Sequence, residues 1–287
     1  MRISTKLTIA MSLAAGVLYV SSGSAAADQI GYAVDDTLNL FSVDLTTATA
    51  TPIGYTGQLL EGLAVSPTGS LFGTDDYGNL YSVSKTTGAT TLIGYTGLGD
   101  VEGLSFRGST LIGTDFSGSG GPTTVYSIST TNAVPTAITS FQQGPVRAMA
   151  TVNTNTVDVA SDSPVSQSLV QVNLLTGANF NLGQLPTNGL SVTGTDLISA
   201  LNFGTDGTLY ALDALGNDYI ISSNGAGTLV GNTGGQDWLD LTMASFGVPA
   251  DPPAPVPEPN SVALLMIAAL GLMGVRAWHK SGGSPRS

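Results

Sequence analysis

The chain of 287 residues has no cysteine and a single histidine, His279. No disulfide can therefore brace the fold and no thiol can do chemistry. Upstream of His279, Ser-His-Asp and Cys-His catalysis and histidine zinc sites are excluded. Positive charge is almost as scarce. Between Asp28 and Ala250 only Lys85, Arg107 and Arg147 stand against 18 acidic side chains, a net charge of −15. Such a field repels nucleic acid and anionic lipid and attracts cations. There is no D-x-D-x-D-G loop, so neither a metal nor another cofactor is expected. What remains is carboxylate, Tyr, Ser/Thr, Lys and Arg chemistry. A glycosidase-like pair of acids is conceivable, but the acids recur too regularly to mark one out.

What the chain does have is repetition. Asn39-Leu40-Phe41-Ser42-Val43 returns as Asn79-Leu80-Tyr81-Ser82-Val83, and Ile53-Gly54-Tyr55-Thr56-Gly57 as Ile93-Gly94-Tyr95-Thr96-Gly97. Across positions 39–57 and 79–97, 12 of 19 residues are identical, which fixes the offset at 40. Short alternating apolar runs punctuated by Gly, Asn and Asp at this period predict an all-β fold of the β-propeller type. In the clearest unit the four strands are Gly62–Val65, Leu71–Thr74, Leu80–Val83 and Thr90–Ile93.

The end of the second strand of each unit supplies a counting device, a short run that closes on aspartate. It gives Asp35, Asp75, Asp115, Asp162 and Asp213. Five copies predict five four-stranded blades over 28–248, and each aspartate is expected to cap the turn that follows it. The first copy has no inner strand before it, whereas Trp238-Leu239-Asp240-Leu241-Thr242 is a surplus strand after the last. The C-terminal strand should thus complete the first blade and close the ring. Six blades, with Leu190-Ser191-Val192 in a degenerate unit, is the alternative.

In a propeller the loops that lead into the inner strands gather around the channel mouth. Those loops present Tyr55, Glu61, Tyr95, Asp100 and Glu102. By alignment Arg147, Ser199 and Asp237 take the place of Glu61 in the other units, with Phe141 and Trp238 nearby. Aromatic faces beside convergent polar groups suit recognition of carbohydrate or peptide.

Both ends depart from this composition. Arg2 and Lys6, the apolar run Leu7–Val20 and the small residues Ala25-Ala26-Ala27 read as a signal peptide over 1–27 for signal peptidase. Residues 249–259 are proline-rich and read as an extended spacer. Residues 260–278 are long enough to cross a bilayer, with Arg276 and the basic tail 279–287 on the cytoplasmic side.

Val256-Pro257-Glu258-Pro259, the short apolar run and Arg276 resemble the PEP-CTERM sorting signal of Gram-negative bacteria. The resemblance implies handling by exosortase, a membrane protease, with transient anchoring through the C-terminal helix. It also implies a place at the cell envelope or outside it, in association with exopolysaccharide or biofilm. The resulting expectation is an exported, non-catalytic propeller that binds or organises polysaccharide or envelope protein. A carboxylate-dependent polysaccharide hydrolase or lyase and a purely structural matrix protein are the rivals. The resemblance yields a first prediction. Glu258→Ala leaves an unprocessed, membrane-retained form, and mass spectrometry of the mature C-terminus in exosortase-positive cells checks it. Normal processing of the variant would contradict it.

Overall fold

Glycine turns cut the chain into strands of five to eight residues. Gly78 shows why the residue type matters. Its φ of +76° is a left-handed conformation, and a Cβ there would lie 2.3 Å from the Leu98 carbonyl oxygen. The computed structural model describes residues 29–115, 121–163, 166–186 and 197–244. The segments 1–27, 249–259, 260–278 and 279–287 and the run Leu190-Ser191-Val192 lie outside them. Among the described residues no helix is long and apolar enough to cross a membrane.

Among the described residues, twenty strands form five four-stranded antiparallel sheets. Blade 1 is β1 (Ile30–Asp35), β2 (Asn39–Asp44) and β3 (Thr49–Tyr55), with β20 (Trp238–Met243) as its innermost strand. Blade 2 is β4 (Leu60–Val65), β5 (Leu71–Asp75), β6 (Asn79–Val83) and β7 (Thr90–Tyr95). Blade 3 is β8 (Val101–Arg107), β9 (Thr110–Asp115), β10 (Thr123–Ile128) and β11 (Pro135–Phe141). Blade 4 is β12 (Val146–Asn153), β13 (Thr156–Ser163), β14 (Ser166–Asn173) and β15 (Asn179–Gln184). Blade 5 is β16 (Ile198–Phe203), β17 (Leu209–Asp213), β18 (Asn217–Ile221) and β19 (Gly227–Asn232). The inner strands β20, β4, β8, β12 and β16 touch in sequence around the axis, so the ring is closed. The five-bladed reading and its closure by the C-terminal strand are both seen.

Apolar side chains on both faces of each blade form five clusters, one at each junction between blades. Outer strands have one unpaired edge, which is why they can hold Pro52 and Pro135, residues with no N–H to offer a ladder.

The closing seam is mixed in character. Trp238 is fully buried, with its ring edge-on to Phe41 at 5.2 Å and its Nε1–H donating to Thr233 Oγ1 at 2.9 Å. On the other side of β20, Asp240 Oδ2 accepts the Leu63 amide at 2.5 Å, and Thr242 Oγ1 accepts the Val65 amide at 3.1 Å. These side chains satisfy inner-edge donors of β4 that no strand covers.

At the junction of blades 5 and 1 the repeat places Asp218 where other blades have Leu40, Leu80, Val125 and Leu169. These residues face Leu212, Val34, Thr74, Thr114 and Ala160 in the same register. Asp218 is fully buried, and neither carboxylate oxygen has a hydrogen-bond partner. Burial, reinforced by Asp44, pushes its carboxyl up to about 8, and burial holds Asp240 well above the usual range.

Both ends of the described ring leave from one face. The Ala244 amide donates to the Ile30 carbonyl at 2.8 Å, at the end of the blade 1 pairing remote from the Asp35–Trp238 pair.

Two predictions follow from the seam. A chain ending at Gly235 lacks β20 and exposes the edge of β1. It loses its single cooperative unfolding transition or aggregates, and unchanged calorimetric melting would refute the closure. The second concerns pH. Unfolded aspartates ionise near pH 4, whereas folded Asp218 and Asp240 keep their protons well above that. Unfolding across this window therefore releases protons, and stability falls as pH rises from about 4 towards 8. The melting temperature is higher at pH 5 than at pH 8. Asp218→Leu narrows that gap and raises the pH 8 value by at least ~2–4 °C, the equivalent of about 1 kcal/mol for a domain of this size.

Candidate functional site

Strand register decides which side chains meet at the channel mouth. Leu60 pairs with Asp75, Val101 with Asp115, Val146 with Ser161, Ile198 with Asp213 and Trp238 with Asp35. The next residue of each inner strand therefore occupies an equivalent place. Those residues are Glu61, Glu102, Arg147, Ser199 and Leu239, and together they line one small axial cavity of about 60 Å³. Strand pleating sends them to the axis while Leu60, Val101, Val146, Ile198 and Trp238 go into the core.

The ring is electrostatically lopsided. Glu61, Asp100 and Glu102 each bring one carboxylate oxygen within 4.8 Å of the others. Glu61 Oε2 and Asp100 Oδ1 are buried and receive no N–H or O–H from other groups. The two carboxyls act on each other directly. Burial and the bond to Glu61 push Asp100 up to about 8, and burial also raises Glu61. Burial pushes Glu102 up to about 9, against the opposing pull of Arg147, whose Nη1 lies 3.8 Å away. Arg147 Nε binds Asp162 more closely, at 2.6 Å. The cluster can take up a proton or a cation, and Arg147 already supplies part of the countercharge.

Two aromatics of the expected rim are on the surface. Tyr55 is 61% exposed and Tyr95 63%, at matching ends of β3 and β7. Tyr77, on the turn between β5 and β6 of the same face, is 72% exposed and was not among the expected residues. The other two aromatics are corrections. Trp238 and Phe141 are buried in the core, because they occupy inward-facing positions of β20 and β11. Asp237 is a correction too. Leu239 holds the ring position, while the Asp237 carbonyl accepts the Asp36 amide at 3.0 Å. The signal that places these positions is a small residue followed by Leu or Met: Gly62-Leu63, Gly103-Leu104, Ala148-Met149, Ala200-Leu201. In the last copy Asp240-Leu241 breaks it.

The repeated aspartates divide. Asp35 accepts the Asn39 amide, and Asp75 and Asp213 each accept two turn amides, an Asn side chain and a Tyr hydroxyl. Burial raises the Asp115 carboxyl against the pull of the Gly99 amide, and the turn after it lies outside the described residues. Asp162 differs. Ser161 stands where the other blades have aspartate, and Asp162, one residue on, binds Arg147 and the Gln167 amide. A one-residue slip in β13 thus converts a turn cap into the partner of the one cation at the mouth.

The PEP-CTERM protein-sorting motif matches residues 255–281. Val256, Pro257, Glu258, Pro259 and Arg276 fall within that match. No curated protein matches the chain. Among solved structures it is similar to one described as a nidogen/laminin complex. The identity is 13%, the match covers 76% of this chain and 81% of that one, and the TM-score is 0.51. A structural genomics protein of unknown function from Bacteroides thetaiotaomicron is also similar, at 13% identity, with 70% and 64% covered and a TM-score of 0.46. At such identity the first likeness shows the fold alone. The chain is thus a five-bladed β-propeller carrying a PEP-CTERM protein-sorting motif, an exported protein that exosortase processes.

Proposed function

We propose that the propeller is a non-catalytic module that binds polysaccharide or protein of the envelope or extracellular matrix at its channel mouth. The observation that carries this reading is the exposure of Tyr55, Tyr77 and Tyr95 on the face that also holds the acidic ring. Exposed aromatic rings offer platforms for the apolar faces of sugars, and carboxylates accept from hydroxyl or ammonium groups. The chain leaves the ring on the opposite face, at Ala244, and the sorting motif lies downstream of that exit. Tethering through that end would turn the tyrosine face outward. Such a shallow surface binds weakly at one site and gains strength by display of many copies.

Geometry weighs against the hydrolase rival. One oxygen from each of Glu61, Asp100 and Glu102 lies within 4.8 Å of the others, and the space that Glu61 and Glu102 line is only about 60 Å³. Acid pairs that cleave glycosidic bonds stand about 5–9.5 Å apart with a sugar between them.

Replacing Tyr55, Tyr77 and Tyr95 together by alanine removes exposed rings, so the melting temperature stays within a few degrees. Retention on matrix extracted from the producing cells falls to background in a pull-down. Undiminished retention of the folded triple variant would eliminate this face.

A further inference from the structure

A second site lies away from the mouth, between blades 4 and 5. In four blades one residue of a matching cross-strand pair, the one nearer the inner strand, is large: Tyr32 opposite Ser42, Phe72 opposite Ser82, Ile112 opposite Ser127 and Tyr210 opposite Ile220. These side chains fill the wedge between their own blade and the next. Phe72, for example, reaches Phe106 of blade 3 at a centroid distance of 5.8 Å. In blade 4 the same place is taken by Asp158, opposite Gln171. The volume of a large side chain is missing, and the junction opens into a cavity of about 390 Å³. That is within the size range of small-molecule sites.

Leu169 and Leu182 from blade 4 and Phe203, Leu209 and Ile221 from blade 5 form the apolar part of the walls, and Gln171, Thr208 and two serines form the polar part. Asp158 is 5% exposed, and Gln171 Nε2 donates to its Oδ1 at 3.1 Å. No Lys, Arg or His is among the lining residues. Burial raises the Asp158 carboxyl to about 6, so it is mostly ionised at neutral pH even here. A buried carboxylate without a basic neighbour calls for a positive group, and the acidic domain as a whole concentrates cations around it.

We infer that the cavity between blades 4 and 5 binds a small organic ammonium compound, whose apolar body takes the place of the missing ring and whose charge pairs with Asp158. A divalent ion fits less well, because such ions want six or more oxygen ligands with several carboxylates among them, and Asp158 is the one acid among the lining residues. The site is separate from the acidic ring, and its occupancy does not depend on what the mouth binds.

The test compares phenethylamine with 2-phenylethanol, nearly the same shape without the charge, by titration calorimetry on the purified full-length chain. The amine saturates one site at millimolar concentration or below, and the alcohol binds at least about tenfold more weakly. Asp158→Asn, which keeps the shape and a hydrogen bond to Gln171, weakens the amine at least about tenfold. Asp158→Phe restores the ring of blade 2, raises the melting temperature and abolishes binding of both compounds. Equal binding of amine and alcohol, an unaffected Asp158→Asn variant or no saturation by ~10 mM would overturn the inference. The amine and alcohol arms need no variant, so they decide the matter even if Asp158→Phe fails to fold.

Discussion

The inner edge of each blade is the constraint around which the ring is built. An innermost strand pairs on one side only, and its other side faces an axis too narrow for a further strand. Its donors and acceptors must be met by side chains from the neighbouring blade. Asp240 and Thr242 serve Leu63 and Val65, Thr74 Oγ1 donates to the Val101 carbonyl, Ser199 donates to the Trp238 carbonyl, and Gln167 brackets both backbone groups of Ile198. Polar residues are therefore required deep inside the ring, and some of the buried carboxyls follow from that need. The bonds also bind one blade to the next where apolar packing alone would leave polar groups bare.

This separates the buried acids by kind. Asp240 is hydrogen-bonded and part of the scaffold. Asp218 and Asp158 occupy positions that other blades give to apolar residues. They lie at adjacent junctions on either side of blade 5, the blade that meets the closing seam. The repeat is most regular in blades 1 and 2, and blades 4 and 5 carry its departures. The chemical variety of the molecule is thus concentrated where its internal symmetry is weakest.

Much of this architecture could be read from the residues. The 40-residue offset, the run closing on aspartate and the surplus strand at Trp238 favour five blades and closure over the six-bladed alternative, because each reflects turn chemistry or strand pairing local in sequence. The positions of Glu61, Glu102, Arg147 and Ser199 around one axis followed from the same alignment. What escaped was decided by single-residue register. Asp162 and Asp237 resemble their supposed counterparts in sequence, but Asp162 lies one residue and Asp237 two residues off the equivalent position, and a shift of one residue already reverses the face of a strand. Trp238 was read as a rim aromatic because its neighbour Asp237 was. Asp158 could not have been picked out without pairing partners, since only opposite Gln171 does it align with Phe72 rather than Leu71.

The seam in blade 1 has a consequence for the order of events during export. β1 is the first strand of the ring to be made and β20 the last, some two hundred residues apart. Until Trp238 arrives, the Phe41 side of blade 1 lacks its covering ring, and the inner amides of β4 lack Asp240 and Thr242. The chain therefore cannot lock into its final shape while its tail is still being synthesised or threaded. Contacts of such long sequence separation also form slowly. Closure of the ring, and the rigidity it confers, waits on the last strand.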